Sequence, residues 1–65
     1  MSAPVAVARE IAARADADVR RLRAAIDRAE DMGAPDDSLR AELVRARRNR
    51  DAAIAALVEI REGER

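Results

Sequence analysis

The sequence predicts an all-α chain, an antiparallel two-helix hairpin with coiled-coil-like seams. Three observations carry this. Glycine and proline fall only near the ends and at one point in the middle, "DMGAPDDS". Between those points run two long stretches of good helix formers, alanine above all. Apolar residues recur along both stretches with alternating 3 and 4 spacing, the heptad pattern of a helix seam.

The first helix is expected over residues 3–32, with Ser2 as N-cap and Pro4 tolerated in the first turn. Gly33 suits the position just past its C-terminus, where the chain must turn left-handed. Residues 33–36 form the turn. The second helix is expected over 37–62, starting among the acidic and hydroxyl side chains of Asp36, Asp37 and Ser38. Each helix would be roughly 40–45 Å long at about 1.5 Å per residue. A connection this short makes the helices antiparallel neighbours. At 65 residues the chain is read as one domain, 1–65.

The seam of the first helix is Val5, Ala8, Ala12, Ala15, Val19, Leu22, Ile26 and Ala29. That of the second is Leu39, Leu43, Ala46, Arg50, Ala53, Leu57 and Ile60, where Arg50 alone is charged. Ile11, Ala25 and Met32 flank the first seam; Ile54 and Val58 widen the second. Two helices cannot bury both sides of such seams, and small chains bury a poor fraction of their surface. A homodimer completing a four-helix bundle, or docking on a larger protein, is therefore expected.

Charge is organised by level. The chain has 13 basic and 13 acidic residues, and every basic one is arginine. In a hairpin turning near residue 34, Arg20, Arg21 and Arg23 lie level with "RARRNR", which holds Arg45, Arg47, Arg48 and Arg50. Residues 16–28 and 43–53 together hold eight Arg and four Asp, a net +4. The loop end, 29–42, holds five acidic residues and Arg40, a net −4. Many waist charges can pair within one helix, as Asp16–Arg20, Arg23–Asp27 or Arg47–Asp51, at ~0.2–0.5 kcal/mol each. Arg50 is the exception. A guanidinium in an apolar seam needs a partner, and Asp16 and Asp18 are at its level. One polar residue there would fix register and oligomer state; the alternatives are that Arg50 binds a ligand or partner, or that its stem carries the charge out to solvent. Arg20, Arg21, Arg45 and Arg48 project outward and could meet an acidic surface or phosphates.

Catalytic chemistry is hard to find. The chain has no His, no Cys and no aromatic residue. That excludes disulfides, the common zinc sites and base stacking. Ser2 and Ser38 read as helix caps, with no base placed to activate them. Asp36 and Asp37 read as dipole-complementing residues rather than metal ligands. There is no phosphate-cradling glycine loop. No cofactor and no enzyme activity are expected. No apolar run approaches the ~20 residues of a membrane span, and "MSAPVAVARE" lacks a signal-peptide pattern, so the expected setting is cytoplasmic. Heavy Ala, Arg, Asp and Val usage points to a GC-rich bacterial genome.

The leading functional expectation is a non-catalytic protein–protein interaction module or small accessory subunit. It would act by self-association or by helix docking on a partner. The alternative is a small RNA-binding bundle using the arginine belt; zero net charge, missing aromatics and interleaved aspartates count against it. The hairpin plan resembles the RNA-binding four-helix-bundle dimers of the plasmid Rop type. "LVRARRNRDAAIAALVE", residues 43–59, is similar to the second helix of a two-helix hairpin protein of the large ribosomal subunit. That stretch is about a quarter of the chain, and those ribosomal proteins are basic where this chain is neutral. The chain is assigned to neither family.

Overall fold

The structure is a computed structural model and describes residues 3–63. Helix α1 spans Ala3–Asp31 and helix α2 spans Asp37–Gly63. The two pack side by side. Ala3 and Pro4 lie by Ile60 at one end, and Leu22 meets Ala46 towards the loop, so they run antiparallel. The result is a rod of 50 × 15 × 12 Å. Its radius of gyration is 15.0 Å, against about 11 Å for a compact globule of this length.

Helix α1 runs without a break because only Pro4 interrupts its helix formers, and a first-turn proline lacks just the N–H that has no helical partner. Ser2, the expected N-cap, lies outside the described residues. At the other end Gly33 takes φ 72°, a left-handed value that a Cβ would strain. That turn lets the Gly33 N–H donate to the Glu30 carbonyl at 3.0 Å and the Ala34 N–H to the Ala29 carbonyl at 2.8 Å. These are the two bonds of a Schellman motif. Met32 is therefore the C-cap rather than the last helical residue, its N–H reaching the Arg28 carbonyl at 3.1 Å.

Helix α2 is capped by Asp36. Its Oδ1 accepts the backbone N–H groups of Ser38 at 2.8 Å and Leu39 at 3.4 Å. Ser38, expected as a cap, instead sits inside the first turn. The carboxylate reaches two free N–H groups from one residue upstream and leaves the hydroxyl nothing to cap. Asp37 in the first turn and Arg61 in the last both complement the helix dipole.

The interior is thin. Val19, Leu22 and Ala46 form the buried cluster, with Leu39 and Leu43 packed against it. Val5 and Ala8 are buried nearer the termini. Ala12, Ala15, Ile26, Ala29, Ala53, Leu57 and Ile60 are half-buried, as is Arg50. Of the described residues outside the two seams, only Asp16 and Ala25 are half-buried, and the rest are exposed. The flanking Ile11, Met32, Ile54 and Val58 are exposed.

Candidate docking groove and arginine belt

One side of the hairpin carries two hollows between the helices, aligned end to end and different in character. The one near the termini is lined by Ala3, Pro4, Val7, Ala8, Ile11, Ala53, Ala56 and Ile60, with no charged side chain. The one towards the loop is lined by Arg14, Ala15, Asp18, Arg21, Leu22, Glu42, Arg45, Ala46 and Asn49. Residues seven apart lie on the same side of a helix. Val7, Arg14 and Arg21 are such a series, as are Ile11 and Asp18, and Ala56, Asn49 and Glu42. The side is therefore one face, apolar at one end and charged at the other.

The apolar end stands open. Val7 is 55% and Ile11 54% exposed. Across α2, Ile54 and Val58 are each 45% exposed. Ile54 and Ala56 are two residues apart, roughly 160° around the helix, so Ile54 faces away from the groove.

The belt arginines do not act as one set. Arg21 and Arg45 come together in the groove, where Arg14 joins them. Arg20 and Arg48 are exposed but line no part of it. Arg20 Nη2 pairs with Asp16 Oδ2 at 3.1 Å, and Arg21 Nη2 with Asp18 Oδ1 at 3.3 Å. Arg14 Nη2 donates to Glu10 Oε1 at 2.7 Å. Arg45 and Arg48 make no ion pair among the described residues. Arg14 and Val7 were missed in the sequence; their signal was the seven-residue step back from Arg21.

Arg50 does not make the buried pair expected of it, and its head turns outward, as the alternative reading has it. It holds its seam position with its side chain 27% exposed, and its guanidinium reaches the exposed Asp51. Nε and Nη2 both donate to Asp51 Oδ1, at 3.3 and 3.2 Å. Neither Asp16 nor Asp18 is its partner. Both are held by arginines one turn away on their own helix, within easy reach of a short carboxylate. The long arginine stem can cover the seam while its head leaves for the edge. No described side chain is both buried and charged. Nor is any buried polar side-chain atom left without a partner.

Of the other helical pairs expected, Asp51 goes to Arg50 rather than Arg47, and Arg23 and Asp27 form no ion pair. The cross-helix pair lies at the loop, where Arg40 Nη2 donates to Glu30 Oε1 at 2.8 Å. Its side chains are about half exposed.

Among the described residues no group of three acidic side chains could hold a metal ion. None of the described helices is long and apolar enough to cross a membrane. Comparison with family models, with curated proteins and with solved structures gives no match.

Proposed function

We propose that the hairpin is a non-catalytic assembly module, which pairs with another copy to complete a four-helix bundle or docks on a larger protein. The observation that supports this best is the uncharged half-groove, whose rim holds Val7 and Ile11 more than half exposed. Large apolar side chains gathered on one patch of a thin rod lose contact with water when a second helical pair covers them. Arg14, Arg20 and Arg21, each paired with an exposed or half-exposed carboxylate of its own helix, fit a solvated surface around such a patch.

A second reading, RNA binding through the belt, draws on Arg45 and Arg48, which have no acidic partner among the described residues. Asp18 and Glu42 in the same groove oppose it. Sedimentation equilibrium and thermal melting test the first reading. Mass and melting temperature are expected to rise with chain concentration. A monomer that melts cooperatively at a concentration-independent temperature needs no partner and overturns it. A salt titration against generic single-stranded RNA tests the second, which requires affinity falling with a log–log slope of about −0.7 per phosphate contact.

A further inference from the structure

We propose that a second copy of this chain covers the uncharged half of the groove, antiparallel and overlapping only along the terminal halves of the two hairpins. The inference rests on the self-association arm of the proposed function and names its face and geometry.

The patch holds both parts of a self-complementary contact. Val7 and Ile11, one turn apart and more than half exposed, form a ridge. Beside it Ala8, Ala53 and Ala56 form a floor of small residues. In an antiparallel pair the two-fold axis runs across the hairpins and lays α1 of each copy on α1 of the other. The Val7 and Ile11 side chains of the two copies then interlock and the small residues face each other, as an isologous interface requires.

Charge sets the extent of the overlap. Beyond Ile11 the same face carries Arg14, Asp18 and Glu42. A copy laid along the whole groove would strip these of water without supplying partners from its own apolar half. A parallel arrangement would stack the two +4 waists and the two −4 loop ends. Overlap at the termini avoids both. Residues 1–15 and 54–65 hold four arginines and four glutamates, no net charge, and the two waists point away from each other.

The rod has surface to give up: the chain exposes 4946 Å², about 850 Å² more than a compact protein of its 7.1 kDa.

The test uses the full chain in sedimentation equilibrium, with helicity followed by circular dichroism. The wild type is expected to dimerise, Ile11→Arg to weaken the dimer about 30-fold or more, and Val58→Arg, on the other side, to leave it intact. A wild-type dimer that survives Ile11→Arg overturns the face while leaving the assembly module standing. A monomeric wild type that is poorly folded overturns the second copy as occupant and leaves docking on a larger protein. Because Ile11→Arg could unfold the chain, a second measurement uses the absence of native cysteine. Val7→Cys, at the middle of the uncharged patch and so nearest the two-fold axis, is expected to form an inter-chain disulfide under mild oxidation, and Ile54→Cys is not. Cross-linking at 54 but not at 7 overturns the proposal.

Discussion

The loop half and the terminal half of the hairpin share one seam pattern and close to different degrees. Towards the loop, Val19 and Leu22 meet Ala46, and Leu39 and Leu43 pack against them. The turn ties the helices there, and the Arg40–Glu30 pair bridges them. Towards the termini, Val5 and Ala8 are buried and Ala53, Leu57 and Ile60 are half-buried, as Ile26, Ala29, Leu39 and Leu43 are near the loop; the difference is that Val7 and Ile11 stand exposed together on one side. Heptad spacing alone therefore does not seal a hairpin. In the loop half, branched side chains of α1 fill the space over a small Ala46. In the terminal half, alanines line much of the gap, and the larger apolar groups sit on its rim.

Several substitutions can break or sharpen this contrast. The largest expected effect is at the loop-half core, where Leu22→Ala should cost about 2–4 kcal/mol in urea unfolding. Ile60→Ala, half open in the terminal half and lining the uncharged groove, should cost about 1–2 kcal/mol at dilution. If the two costs converge as concentration rises, the terminal half is being sealed by another copy. If they are equal in dilute solution, the contrast between the halves is wrong.

Next come the devices that tie the loop half. Gly33→Ala, with open space around the added methyl but φ held at 72°, should destabilise by about 1–2 kcal/mol. Asp36→Ala removes the carboxylate that caps α2 and should cost ~1 kcal/mol. Thermal melts check both, and a loss near zero would mean that the turn is not what closes this end. Arg50→Leu should stabilise by about 1 kcal/mol, a rise of some 4–8 °C in melting temperature, because it adds apolar surface and strands no buried carboxylate. A fall in melting temperature would show that the Asp51 contact, or the stem of Arg50, matters more than its exposure implies. The smallest effects are expected at Asp16→Ala and Asp18→Ala, about 0.5 kcal/mol or less, since each breaks only a pair between partly exposed groups. A cost several times larger would mean that one of them does face Arg50.

The helices were legible because their punctuation is local. Gly33 and Asp36 act through bonds to residues at most four positions away, so their effect is written in the residues around them. The choice between Asp36 and Ser38 as cap was not legible, since both can accept a backbone N–H and the register of the first turn decides. The charged part of the groove was half legible. The spacing of Arg21 and Arg45 turns them outward within the densest run of arginine, whereas Arg14 stands outside that run and only the fold brings it to the same hollow.

By itself the sequence determined two helices, their antiparallel order and which stripe of each turns inward, because periodicity and chain connectivity are properties of one strand of residues. Only the tertiary structure decided how well that stripe is covered and where Arg50 sends its charge. Coverage depends on the volumes that meet across the seam. A long side chain chooses among all acceptors within reach, so its spacing in the heptad places its Cβ and leaves its guanidinium free to find Asp51.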